Sequence, residues 1–190
     1  MKTLLILRHA KAVPKDPNSS DHDRSLDSLG KDDALRMGEM IKDKDMVPCF
    51  IISSTALRAK TTAEIVAKGC KYEADIVLDH SLYEAKPKDY FDILETVSDR
   101  YSSVLIIGHN PTIEETIQML TNSSDVVAIP SCALAHLGIP VEKWSDIRSI
   151  KSKTELHRVV LRKYYNPDRV VCYLIIRWSN YISGLLDWLY

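Results

Sequence analysis

Two short apolar runs, far apart in the chain, end in the same unusual way. TLLILR (3–8) runs straight into His9, and SSVLIIG (102–108) runs straight into His109 and Asn110. An uninterrupted aliphatic strand belongs inside a sheet covered on both faces. A guanidinium or imidazole at its C-terminal end then stands at the sheet edge, where open α/β sheets bind their ligands. The chain is therefore constrained to alternate buried parallel strands with covering helices, and to carry its chemistry at one edge.

The intervening sequence fits that demand. Residues 10–26 hold Pro14, Pro17 and the polar cluster DPNSSDHD and read as a loop. Asp27 is an N-cap for a helix over about 28–45, on which Ala34, Met37 and Ile41 recur at helical spacing. CFIISS (49–54) is a second strand, and Ala59, Ala63 and Val66 mark a small-residue helix over about 56–68. ADIVLD (74–79) reads as a third strand, followed by a helix near 88–99. After His109 and Asn110, Pro111 starts a helix through Ile113, Ile117 and Leu120, with Asn110 as its cap. CALAHLGI (132–139) and ELHRVVL (155–161) read as later strands. The alternation predicts a three-layer α/β/α sandwich with a mostly parallel central sheet.

At 190 residues the chain is long enough for one such domain and short for two. Formal net charge is −1, so no global field draws it to nucleic acid or to an anionic membrane. Attraction for an anion has to come from a local cluster. The four cysteines, Cys49, Cys70, Cys132 and Cys172, form no CxxC or Cys/His pair with zinc-ligand spacing. The N-terminal apolar run is too short for a signal peptide, and free cysteines point to a cytoplasmic, reducing location. Residues 1–167 are taken as the domain. The segment 168–190 (rich in Trp, Tyr, Leu and Ile) is taken as an apolar extension, packed on the domain or used as a homodimer or membrane-surface contact, with packing favoured and a spanning helix disfavoured by Arg177 and Asp187.

Gathered at one edge, the strand ends supply Arg8, His9, Arg58 and His109. Two guanidiniums offer planar forks that match phosphate oxygens. Two imidazoles add a nucleophile and a further donor. No metal-ligand set or cofactor motif is evident, and neither GxGxxG nor GxxxxGK[ST] follows any strand. Such a pocket suits attack on a phosphoryl group.

These motifs, in this order, resemble those of the histidine phosphatase superfamily (phosphoglycerate-mutase-like), and specifically its SixA-type phosphohistidine phosphatase branch. LILRHAKA is similar to the Arg-His signature. DHDRSLDSLG is similar to the branch's Asp-x-x-Arg-x-Leu-Thr-x-x-Gly segment, with Asp27 where Thr is usual. SSTALRAKTTAEIV is similar to the segment carrying the second arginine, and LIIGHNPTIEE to that carrying the second histidine. The likeness spans about residues 1–165. It implies that His9 is the phosphorylated nucleophile and that Arg8, Arg58 and His109 hold the phosphoryl oxygens. No metal or other cofactor is implied. Glu84, just after the third strand, falls where related enzymes carry a catalytic acid, with Asp21 and Asp23 as alternatives. Arg24 and Asn110 are assigned a secondary contact with substrate or loop.

The implied activity is a metal-independent phosphatase acting on phosphohistidine proteins or small phosphate monoesters. A mutase of the same fold would need a longer lid than the fifty or so residues between Arg58 and His109 allow. A non-catalytic phosphate-binding module would keep the arginines and have no use for His9. His22, His80, His136 and His157 have no motif support and are assigned to surface or core. Lys11 is a rim cation.

Overall fold

The computed structural model describes residues 1–121, 128–151 and 160–165. The strands are β1 (Lys2–Arg8), β2 (Phe50–Ser54), β3 (Ile76–Asp79), β4 (Ser103–Gly108), β5 (Leu134–Ile139) and β6 (Val160–Tyr165). The helices are α1 (Ser28–Asp43), α2 (Leu57–Cys70), α3 (Pro87–Thr96) and α4 (Thr112–Thr121). Short 3₁₀ turns occupy Asp21–Asp23 and His80–Leu82, and a longer one Trp144–Lys151. The sheet order is β3-β2-β4-β1-β5-β6. β1 to β4 run parallel, while β5 is antiparallel to both β1 and β6.

Because side chains alternate along a strand, each central strand feeds both faces. Leu4 and Ile6 of β1 join Ile52, Val104 and Ile106 beneath α3, α4 and the fully buried Trp144. Leu5 and Leu7 join Ile51, Leu105 and Ile107 beneath α1 and α2. That is the expected three-layer sandwich, with its apolar mass split across the sheet.

The helix over α1 starts where expected, and the Asp27 carboxylate accepts the Gly30 N–H at 2.7 Å. α1 and α2 lie close because Gly38 faces Gly69. A Cβ on Gly38 would come within 2.5 Å of the Val66 carbonyl oxygen and 2.9 Å of Gly69 Cα.

Two expectations change. The last strand is Val160–Tyr165 rather than 155–161, with 152–159 outside the described residues. Asn110 does not cap α4 by accepting a backbone N–H: its Nδ2 donates to Glu114 Oε1 at 2.5 Å and to the Ile129 carbonyl at 3.0 Å. These two acceptors fix the amide through Nδ2, and its Oδ1 is left buried without a partner among the described residues. The 168–190 extension and His157 lie outside the described residues. No helix among the described residues is long and apolar enough to cross a membrane.

Candidate active site

Register brings the pocket together. In the β1–β4 pairing Arg8 stands opposite Gly108, which sets His9 beside His109 at the next position of each strand. β2 flanks β4 on the other side and ends at Ser54, a few residues before Arg58 on the first turn of α2. The two imidazole centroids are 5.0 Å apart. Pieces of chain separated by a hundred residues thus meet because parallel strands end on one edge.

His9 is held by its backbone neighbour. Its Nδ1 donates to the Ala10 carbonyl oxygen at 2.7 Å, which fixes the tautomer and leaves Nε2 with its lone pair. That carbonyl belongs to the first residue of the loop 10–26. Ala10 is itself pinned, its N–H donating to Thr62 Oγ1 at 3.0 Å, and that hydroxyl donates to the Arg58 carbonyl at 2.6 Å. Thr62 therefore couples the loop that follows His9 to the helix that carries Arg58.

Burial, together with the cations Arg58, Arg8 and Arg24, lowers the His9 pKa from 6.5 to about 4. Burial, with His9 and Arg58 adding, lowers that of His109 to about 3. Both rings are neutral near pH 7. His9 is thus a competent nucleophile, and His109 is a neutral hydrogen-bonding ring rather than a third cation. His109 Nε2 meets the Ser54 hydroxyl at 2.9 Å, while its Nδ1 is buried without a partner among the described residues.

Arg58 is buried, and its Nε–H donates to His9 Nε2 at 3.3 Å. Its Nη1 donates to the Asp21 carbonyl at 2.6 Å and its Nη2 to Asp21 Oδ2 at 2.9 Å. Arg8 reaches the pocket from the other side. Its Nη1 donates to the Ile129 carbonyl at 2.6 Å, while Nε is buried without a partner among the described residues. Glu114 Oε1 accepts the Ile129 N–H at 2.7 Å, so Asn110, Glu114 and Ile129 form a brace behind Arg8.

The remaining sequence candidates divide. Arg24 is a loop contact, its Nε donating to the Val13 carbonyl at 3.1 Å and its Nη1 to Asp21 Oδ1 at 2.8 Å. Asp21 is held down at about 2 by the Arg24 hydrogen bond, with Arg58 and Tyr83 adding, so it is a carboxylate near neutral pH. Glu84 is exposed and makes no hydrogen bond or ion pair among the described residues. Lys11 lies 3.4 Å from Asp27 and is not a free rim cation. Among the described residues no group of three or more His, Cys, Asp or Glu is placed to hold a metal ion.

Sequence reasoning set Tyr83 no further in than the entrance, within 80–90, and His22 on the surface or in the core. The Tyr83 ring stands edge-on to His109 (5.9 Å) and to His22 (4.8 Å), and its hydroxyl donates to Asp21 Oδ2 at 3.2 Å. His22 Nε2 meets the Thr55 hydroxyl at 3.0 Å, and Thr55 in turn meets His80 Nδ1 at 2.9 Å. The two histidines assigned to surface or core thus form a rim around Tyr83.

The family model of the histidine phosphatase superfamily (branch 1) matches residues 4–105. An uncharacterized chloroplastic protein of Arabidopsis thaliana is 27% identical over 154 residues, covering 76% of this chain and 70% of that one. Among solved structures, a protein of Agrobacterium tumefaciens named for the phosphohistidine phosphatase SixA is 29% identical. It has a TM-score of 0.68, over 73% of this chain and 92% of its own. The protein histidine phosphatase SixA complexed with tungstate shares the fold at 19% identity. Its TM-score is 0.72, over 87% of this chain and 97% of its own.

Proposed function

The chain belongs to the histidine phosphatase superfamily and is a phosphatase, and from that premise we propose that it works through a phosphohistidine intermediate on His9 without a metal ion. The observation that carries this is the tautomer lock. Nδ1 of His9 is committed to the Ala10 carbonyl, so Nε2 presents its lone pair at the mouth of a pocket holding two guanidiniums. Nε2 attacks phosphorus, and the bond from phosphorus to the leaving group breaks. Water then attacks the phosphoryl-imidazole and releases inorganic phosphate, regenerating neutral His9.

Arg8, Arg58 and the His109 ring hold the oxygens while negative charge is redistributed, the role that phosphoryl transfer demands most. Fixed cations in this number supply charge stabilisation of the kind a magnesium ion gives elsewhere. Glu84 is the proposed donor to the leaving group, from its place on the turn after β3. A phosphohistidine substrate would lean on that donor least, because imidazole leaves readily. Protein-borne phosphohistidine is the proposed substrate. Its support is the likeness to the Agrobacterium protein and the compact stretch from Arg58 to His109, which is used up by α2, β3, a 3₁₀ turn, α3 and β4 and leaves no lid.

The test is hydrolysis of an aryl phosphate with chelator present, comparing wild type and His9→Ala, together with trapping of labelled enzyme. The expected result is turnover by wild type alone, with an acid-labile, base-stable phosphoryl group on His9. Equal hydrolysis by both proteins overturns the reading.

A further inference from the structure

The fork of Arg58 already has an anion in it. Its two Nη atoms donate to Asp21, one to the backbone carbonyl and one to the carboxylate, and its Nε–H donates to the nucleophile's lone pair. We propose that Asp21 is a carboxylate gate: it competes with the phosphoryl group for the Nη donors of Arg58, so substrate enters by displacing Asp21 and phosphate leaves as Asp21 returns. This rests on the reading that Arg58 binds the phosphoryl group.

The two partners are unequally anchored. Arg58 sits on the first turn of α2, is 6% exposed, and has its carbonyl held by Thr62. Asp21 belongs to a 3₁₀ turn of three residues in the loop after β1, and its side chain is 27% exposed. When an anion arrives, the loop carboxylate gives way rather than the helix. It does not move into isolation, because Arg24 keeps hold of the other oxygen, Oδ1, at 2.8 Å. Oδ2, the oxygen shared by Arg58 and Tyr83, is the one to be given up.

Charge makes the exchange obligatory. A phosphoryl dianion on the same Nη donors would sit within contact distance of an ionised carboxylate, in a partly desolvated pocket where like charges repel strongly. One of the two has to leave. The Tyr83 hydroxyl, released from Oδ2, is then free to donate to the arriving oxygen. Its ring centroid lies 5.8 Å from the Arg58 guanidinium carbon and 5.9 Å from that of His109, close enough to serve the same group. The gate also gives product a reason to leave, since inorganic phosphate must hold its place against a tethered competitor.

Calorimetric titration with inorganic phosphate tests this on wild type, Asp21→Asn, Asp21→Ala, Asp23→Asn and Arg58→Ala. Asp23 carries the same charge two residues away, and its side chain is 72% exposed, so its variant reports the effect of charge alone. The gate predicts that both Asp21 variants bind phosphate about tenfold tighter than wild type, since one charge-assisted contact no longer has to be broken. Asp23→Asn should stay within about twofold of wild type, as expected for an exposed charge.

Unchanged or weaker binding by both Asp21 variants, with Arg58-dependent binding by wild type, overturns the gate and leaves the phosphatase reading intact. Equal tightening by Asp23→Asn also overturns it, since charge alone would then explain the gain. Phosphate binding that is absent from wild type and both Asp21 variants, or indifferent to Arg58→Ala, removes the phosphoryl site and the gate with it.

Discussion

The Nε–H of Arg58 points at Nε2 of His9 across 3.3 Å. One guanidinium thus touches both the lone pair of His9 and, through its Nη atoms, Asp21. Lysine at 58 would keep the charge and lose the planar fork. Arg58→Lys should cut kcat/KM for an aryl phosphate by about a hundredfold or more, the scale of losing preorganised donors at a developing charge. Steady-state kinetics checks this, and Asp21 left with only Arg24 and Tyr83 should lower Tm as well.

Acid should weaken the fold through the same two rings. His9 and His109 titrate near 6.5 when unfolded and at about 4 and about 3 when folded. Between those values the unfolded chain binds more protons, so stability rises with pH across that window and is lost as pH falls through it. Asp21 acts in the same sense lower down, between its ordinary 3.8 and about 2. The expected result is a Tm that drops as pH goes from 7 to 4, and a shallower drop in His109→Asn. The acid limb of kcat/KM should lie near pH 4, where His9 takes up its proton, rather than near 6.5. Calorimetric scans and a pH–rate profile on a substrate of known ionisation read the two effects separately.

The strands that carry the site were legible because four aliphatic residues in a row leave little choice of environment, and because Arg8, His9 and His109 follow those rows abruptly. β6 was harder to place. Its sequence, VLRKYY, mixes basic and aromatic residues on an edge strand and lacks an aliphatic run. The antiparallel course of β5 is a tertiary outcome that no local pattern encodes. Within the pocket, the four residues at strand ends and the first helical turn could be read, and the loop contacts could not. Asp21 meets Arg58 across 37 positions, Tyr83 meets Asp21 across 62, and Arg8 meets Ile129 across 121. Such pairings depend on how loops close over a finished sheet, which is why Asn110 could be taken for a cap when it braces Ile129.

That brace makes Glu114 a positioning residue for Arg8. Its Oε1 gathers the Ile129 N–H and the Asn110 amide, and the Ile129 carbonyl then receives Arg8 Nη1. Glu114→Ala should reduce kcat/KM by about tenfold, as expected when a buried donor pair loses its acceptor and the arginine it steadies shifts. Glu114→Gln keeps a carbonyl oxygen for the Ile129 N–H and should recover most of that loss. A helix-stability role alone would lower Tm in Glu114→Ala without changing kcat/KM at temperatures well below the transition, so kinetics and melting together separate the two.

Gly108 closes β4 directly beneath the pocket, and a Cβ there would lie 1.9 Å from the Tyr90 hydroxyl oxygen and 3.1 Å from Cζ. Tyr90 is fully buried, and its hydroxyl lies against the backbone N–H of His109. Gly108→Ala forces one of two well-packed groups to move and should cost about 2–3 kcal/mol, in the range for overpacking a core. Tyr90→Phe removes an oxygen that the His109 backbone N–H approaches, so alone it should cost about 1 kcal/mol. Combined, the two changes should couple. The double variant should be more stable than the sum of the singles by about 1 kcal/mol or more, as expected for side chains in contact. The rescue should be incomplete because the ring carbon remains too near. Urea denaturation of the four proteins closes the cycle, and strict additivity would show that the hydroxyl is not what excludes a side chain at 108.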